Sequence, residues 1–283
     1  MINAEINAII DLALAEDTGH GDITSEILIP RGLQGNATLL VKEAGVLARG
    51  ELARDIFLKV DSSLKVTLLI KDGVKIKPGD IIGTVSGNVT AILKAERVVL
   101  NFMQRLSGIA SLTSLYVAEV NGLKTKIVDT RKTTPGLRVL EKCAVKAGGG
   151  QNHRMHMGDA VLIKDNHIAA LRKMGMSLAE IVRKAKEKAP PGMVVEVETT
   201  TPEEAKEAAD AGATMIMFDN MSPALMRKTL ALLPKGIKTE ASGGITLKTV
   251  RAAAETGVDI ISIGALTHSA PSLDISLELE TLP

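Results

Sequence analysis

The chain has 283 residues, 45% of them hydrophobic and 24% charged, enough for one large barrel or two ordinary domains, each with a proper core. A formal net charge of +1 leaves no global field to draw in nucleic acid or an anionic membrane, so any anion binding must come from local clusters. No apolar run reaches the roughly 18 residues that span a bilayer, and Met1 to Asp17 carries acids in an amphipathic pattern rather than a basic, then apolar, leader.

The expected location is therefore the cytoplasm, with no nucleic-acid or membrane partner. The single cysteine, Cys143, cannot form an internal disulfide and reads as a small inert residue. The aromatic rings are Phe57, Phe102, Tyr116 and Phe218, so the core must be aliphatic and a base-stacking platform is not expected.

In chain order, the first third reads as α+β. An amphipathic helix is predicted from about Asn3 to Ala15, a Gly/Asp/Thr-rich turn from Glu16 to Ser25, and short strands at Ala37 to Val41 and Lys65 to Ile70. Lys71 to Ile82 alternates apolar and turn residues much as a β hammerhead does, yet none of its lysines sits beside a methionine as a modifiable carrier lysine would. From about Ala91 to Val120 the periodicity predicts one or two helices linking the halves.

Beyond this point six apolar runs suit buried parallel strands: Lys126 to Asp129, Ala160 to Ile163, Val194 to Val197, Met215 to Phe218, Ile237 to Thr239 and Ile260 to Ile263. Helical patterns separate the last five: Ala169 to Ala189, Pro202 to Ala211, Pro223 to Leu233 and Leu247 to Glu255. Pro202 and Pro223 begin two of these helices and Gly212 and Gly257 follow the ends of two. The last four strands recur about every 22 residues, which is βα spacing. A partial or complete α/β barrel is the first expectation and a doubly wound sheet the second.

Parallel barrel strands end on one rim, and the residues just past each run carry chemistry. After the first strand comes Asp129-Thr130-Arg131-Lys132, and after the second Lys164-Asp165-Asn166-His167; the third carries Glu196 and Glu198. Asp219-Asn220, then Glu240-Ala241-Ser242-Gly243-Gly244, then Gly264-Ala265 follow the others. Gly243, Gly244 and Gly264 suit a phosphate held by backbone N–H groups. Arg131, Lys132, His153, Arg154 and Lys164 exceed what one phosphate monoester needs, which suggests a polyanion or two anionic substrates together. Glu198 and Asp219 offer hard oxygen ligands suited to Mg²⁺ shared with a diphosphate. Three consecutive glycines before Gln151-Asn152-His153-Arg154 predict a mobile loop able to close over substrate.

Five segments together carry a family resemblance: Asp129 to Arg138, Gly148 to Arg154, Leu162 to His167, Glu240 to Ile245 and Gly264 to Ser269. The chain resembles the quinolinate phosphoribosyltransferase family over nearly its whole length. The resemblance implies an open α/β barrel at 108–267 beside an N-terminal α+β domain at 1–107, which the C-terminal segment 268–283 rejoins. It implies phosphoribosyl transfer from phosphoribosyl pyrophosphate to quinolinate with decarboxylation, giving nicotinate mononucleotide in de novo NAD synthesis. It also implies a homodimer or larger assembly with a shared site.

Carried over by motif, Arg131, His153, Arg154 and Lys164 would hold the quinolinate carboxylates, joined by Arg97 from a neighbouring subunit. Thr130 belongs to the same substrate-binding run. Lys132 and Lys164 would face the diphosphate, and Glu198 and Asp219 would hold Mg²⁺ and the ribose. Ser242, Gly243 and Gly244 with Ile263, Gly264 and Ala265 would hold the 5′-phosphate. One departure is Met155-His156-Met157, where the family has glycine and then leucine. His156 is expected to pack rather than to contact substrate.

Overall fold

The computed structural model describes residues 4–282. Its elements in chain order begin with α1 (Ala4–Thr18), α2 (Ile23–Leu28), β1 (Gln34–Val41), β2 (Gly45–Val46), α3 (Gly50–Val60), β3 (Lys65–Leu68), β4 (Lys75–Ile76), β5 (Ile81–Asn88) and α4 (Val89–Glu119). There follow β6 (Lys126–Val128), α5 (Arg138–Ala147), β7 (Val161–Ile163), α6 (Asp165–Arg172), α7 (Leu178–Lys188), β8 (Val195–Thr199), α8 (Pro202–Asp210) and β9 (Met215–Asp219). The chain finishes with α9 (Pro223–Leu232), β10 (Lys238–Ser242), α10 (Val250–Ala254), β11 (Ile260–Ser262), α11 (Ala265–His268) and β12 (Ile275–Thr281). Two compact units result: 1–114 with 133–149 and 265–283, and 115–132 with 150–264.

The first unit is α+β. Its four-stranded antiparallel sheet runs β12-β1-β5-β3, so the last strand of the chain pairs along the first, from Gly35 against Thr281 to Val41 against Ile275. Ala37, Leu39 and Val41 alternate inward, the period of a strand with one buried face. Helix α3 buries Leu52, Ala53, Ile56 and Phe57, a single stripe at helical spacing.

Helix α4 is one continuous helix of 31 residues rather than two. Its Gly108 marks a close approach, because a Cβ there would collide with the Pro271 carbonyl oxygen. Gly108→Ala will therefore cost about 1–2 kcal/mol net, since overpacking outweighs the gain in helix propensity. A lower urea midpoint measures this, and an unchanged one would contradict the contact.

The second unit holds a six-stranded parallel sheet, β6-β11-β10-β9-β8-β7. Strands β7 to β11 are laid down one beside the next, always in the same direction, and β6 joins beyond β11. With right-handed crossovers the helices then all fall on one face, so the sheet must curl to cover the other. Strands β6 and β7 are the unpaired edges, with a lone bridge from Val128 to Gln151, and the barrel is open. Buried Val195, Val197, Ile216, Phe218, Ala241 and Ile261 form its core.

Several elements differ from the sequence expectation. The turn at 16–25 is largely helical: α1 continues to Thr18, and Asp22 starts α2 by accepting the Ser25 N–H at 3.0 Å. Asn3 lies outside the described residues. Residues 169–189 form two helices, because Gly175 adopts φ +85° and Ser177 restarts the chain with a reciprocal cap to Glu180. Helix α10 is shorter than 247–255. Within Lys71 to Ile82 the short strand β4 pairs with β2 before β5 begins. Helix α5 was not anticipated, since it sits between Gly136 and Gly148 in a stretch read for its motifs. Among the described residues no helix is long and apolar enough to cross a membrane.

Candidate active site

Within the second unit the C-terminal ends of the parallel strands surround a cavity of about 540 Å³. Thr130, Arg131 and Lys132 enter it from the end of β6, and His153 and Arg154 from the segment before β7. Leu162 and Lys164 come from β7, Glu198 from β8, and Met217, Asp219 and Asn220 from β9. Glu240, Ser242, Gly243 and Gly244 come from β10, and Ser262 from β11. Each side chain reaches the rim because parallel strands all end there.

Orphaned atoms on Arg131 and Glu198 show what the cavity lacks. The Nε of Arg131 is a buried donor without a hydrogen-bond partner, and Glu198 Oε2 is a buried acceptor without one. Native proteins rarely leave such groups unmet, so the first asks for an anion and the second for a cation. Burial, and then the neighbouring Asp219, hold the Glu198 carboxyl above its ordinary range, against the pull of Lys164 and Lys132. Burial lowers Arg154, and the Arg131 charge lowers it further. The cations repel one another and the carboxylates do the same, so bound anions and a bound cation would each relieve strain.

The glycines expected to bind phosphate are explained locally. Gly243 has φ +85° and Gly244 +61°, and a Cβ on Gly243 would lie 2.5 Å from Asn220 Cγ. Asn220, itself left-handed at φ 53°, donates its backbone N–H to the Ser242 carbonyl at 2.9 Å. Ser262 Oγ donates to Ser242 Oγ at 3.0 Å. This corner presents short polar groups and backbone with no side-chain bulk.

His153 is held differently from the cations. Its Nε2 is 3.3 Å from Glu196 Oε2 and 3.2 Å from Glu240 Oε2. Burial alone would lower its pKa, but the hydrogen bond to Glu196 and the charges of the two carboxylates outweigh that and push it up to about 10. The Arg154 backbone N–H donates to Nδ1 at 2.9 Å, which favours the ring with its only proton on Nε2. Nε2 carries a hydrogen in either form, so its orientation toward the carboxylates is common to both.

Eleven of the expected site residues line the cavity: Thr130, Arg131, Lys132, His153, Arg154, Lys164, Glu198, Asp219, Ser242, Gly243 and Gly244. Arg97 does not; it lies on α4 in the other unit, exposed and paired with Glu96 at 2.8 Å. Ile263 is buried at 2% exposure, and Ser262 takes the place expected of it at the rim. Gly264 and Ala265 do not line the cavity, and Ala265 begins α11.

His156 is exposed rather than packed, and its backbone N–H donates to Asp159 Oδ2 at 2.8 Å. The glycine run has structural causes. A Cβ on Gly148 would collide with the Ala110 carbonyl oxygen, and Gly149 needs φ +88° just past α5. Gln151 is then tied to β6, its N–H donating to Ile127 at 2.9 Å and its carbonyl accepting from Asp129 at 3.2 Å. Sequence reading noted Glu196 and Glu240 at strand ends but missed that they converge on one histidine. The signal was present in their placement two strands apart, since alternate strands of a barrel fill one layer.

Comparison with known proteins agrees along the chain. Residues 22–107 match the N-terminal domain and residues 109–278 the C-terminal domain described as quinolinate phosphoribosyl transferase. A Bacillus subtilis (strain 168) protein named probable nicotinate-nucleotide pyrophosphorylase [carboxylating] is 44% identical over 280 residues, covering 99% of this chain and 95% of that one. The chloroplastic Arabidopsis thaliana nicotinate-nucleotide pyrophosphorylase [carboxylating] is 45% identical over 293 residues, covering 98% and 83%. The crystal structure of NadC from Streptococcus pyogenes superposes with a TM-score of 0.93 at 38% identity, covering 100% and 99%. The chain belongs to the quinolinate phosphoribosyltransferase family.

Proposed function

We propose that this protein transfers a phosphoribosyl group from phosphoribosyl pyrophosphate to quinolinate and decarboxylates the product to nicotinate mononucleotide, serving de novo NAD synthesis. The observation that carries the reading is the cation set: Arg131, Lys132, Arg154 and Lys164 line one cavity, more positive charge than a monocarboxylate and one phosphate require. The orphaned Nε of Arg131 is an open donor for one substrate carboxylate.

In this reading the pyridine nitrogen attacks ribose C1, the C1–O bond breaks, and its electron pair leaves with pyrophosphate. The bond from ring carbon 2 to its carboxylate then breaks, CO₂ departs, and the electron pair left on that carbon takes a proton. Arg131, Arg154 and Lys164, with Thr130 beside them, orient the dicarboxylate. Lys132 and Lys164 stabilise the charge gathering on the diphosphate, as fixed donors aimed at developing charge do. Ser242, Gly243 and Gly244, continued by Ser262 of the next strand, hold the 5′-phosphate.

Glu198 and Asp219 are the residues that would hold Mg²⁺, and the orphaned Glu198 Oε2 fits such an ion. Bound there, Mg²⁺ supplies charge neutralisation to the diphosphate. The protein acts as a homodimer or larger in the cytoplasm. Arg97 serves a neighbouring protomer's cavity, a reading supported by its exposed side chain.

Purified protein given quinolinate, phosphoribosyl pyrophosphate and Mg²⁺ will release CO₂ and nicotinate mononucleotide. Turnover of nicotinate with none of quinolinate would sink the assignment.

A further inference from the structure

Two buried carboxylates have no part in the roles above. The side chains of Glu196 on β8 and Glu240 on β10 are 1% and 0% exposed, where an ionised carboxylate is costly unless paired. Both approach a single atom, His153 Nε2. Glu196 Oε2 accepts its hydrogen bond, and Glu240 Oε2 lies at an ion-pair distance of 3.2 Å rather than in a directed hydrogen bond. Glu196 Oε1 and Glu240 Oε1 are buried with no hydrogen-bond partner, so the pair is not maximising its own hydrogen bonding.

What the pair does secure is one residue's geometry. The His153 backbone N–H donates to Asp129 Oδ1 at 2.9 Å, just past β6. Asp129 just past β6, Glu196 on β8 and Glu240 on β10 thus grip His153 from alternate strands of the barrel, whose side chains share one interior layer. His153 Nδ1 in turn receives the Arg154 backbone N–H at 2.9 Å, and Arg154 Nη1 donates to the Ala160 carbonyl at 3.1 Å. The ring is therefore the link between the barrel interior and an arginine of the cation set.

We infer that Glu196 and Glu240 are positioning residues: with their carboxylates buried against it, they fix the His153 ring, and through it Arg154, in the orientation that receives the dicarboxylate. The assignment rests on the functional reading above. It separates these two acids from Glu198 and Asp219, which face the cation and the sugar. Partners of this kind, one layer behind the groups that touch a ligand, set their orientation.

The test is steady-state kinetics on Glu240→Gln, Glu196→Gln, His153→Ala and the double variant Glu240→Gln/His153→Ala, with thermal melts to check folding. Each glutamine variant will raise KM for quinolinate about tenfold or more, leaving KM for phosphoribosyl pyrophosphate within about twofold. In the His153→Ala background Glu240→Gln will add less than about twofold, because residues acting through one another are not additive.

Equal rises in both KM values, additive losses in the double variant, or unaltered KM for quinolinate would each overturn the inference. So would one equivalent of zinc retained after dialysis against zinc chloride and lost in Glu240→Gln, since the three donor groups lie within 4.8 Å of one another. Should a glutamine variant fail to fold, the aspartate at the same position carries the same comparison. A wild type inactive on quinolinate refutes the functional reading, whereas an active wild type with unaffected variants refutes only this inference.

Discussion

Arg131→Leu will lower kcat/KM for quinolinate by roughly 10²-fold and narrow the preference for quinolinate over nicotinate. Arg131 keeps a buried Nε donor without a partner, so that N–H has lost hydration that a bound anion would restore. Removing one member of a buried, hydrogen-bonded charge pair costs about 2–5 kcal/mol, each 1.4 kcal/mol being tenfold. The lower part of that range applies, because the Arg131 charge also lowers Arg154, and leucine relieves that repulsion. The preference narrows because a site built to bind a second carboxylate gains from it only while its partner is present. Steady-state kinetics with both acids measure this. A kcat/KM for quinolinate within threefold of wild type (a limit of about 0.6 kcal/mol) would remove Arg131 from the substrate-binding set.

Glu198→Gln will lower kcat by about 10²–10³ and raise the Mg²⁺ concentration needed for half-maximal rate. Glutamine keeps the shape and one oxygen but removes the charge, so the variant separates electrostatics from packing. Glu198 is suited to this test because burial and Asp219 both disfavour its charge, and a divalent ion would compensate both. Titrating Mg²⁺ into EDTA-treated protein reads the effect directly. An unchanged Mg²⁺ dependence in Glu198→Gln would take this residue out of the cation site.

Most of the barrel was legible because its signals are local. Thr201 and Ser222 cap helices whose first residues are Pro202 and Pro223, and Gly212 and Gly257 follow helix ends with φ of +100° and +96°. These contacts lie within a few residues of one another, so sequence spacing specifies them. Failures came where two patterns met. The apolar period runs from Ala169 to Ala189, but the Gly175 turn and the Ser177 cap break the helix within it. The three glycines at 148–150 suggested mobility, whereas Gly148 answers a backbone contact with Ala110, 38 residues earlier in the numbering, that no local pattern encodes.

For the site, residue types and strand-end positions placed Arg131, Lys132, Lys164, Glu198 and Asp219 on one rim, since parallel strands bring their C-terminal ends together by construction. That much the sequence determined by itself, and the motifs named the family. Only the tertiary structure decided how interior side chains meet across alternate strands. Glu196 and Glu240 stand 44 positions apart and looked like further rim acids, yet curling of the open sheet turns both onto His153. Local chain chemistry selects elements and their ends. Closure of the sheet, set by packing of the whole unit, selects which buried charges become neighbours.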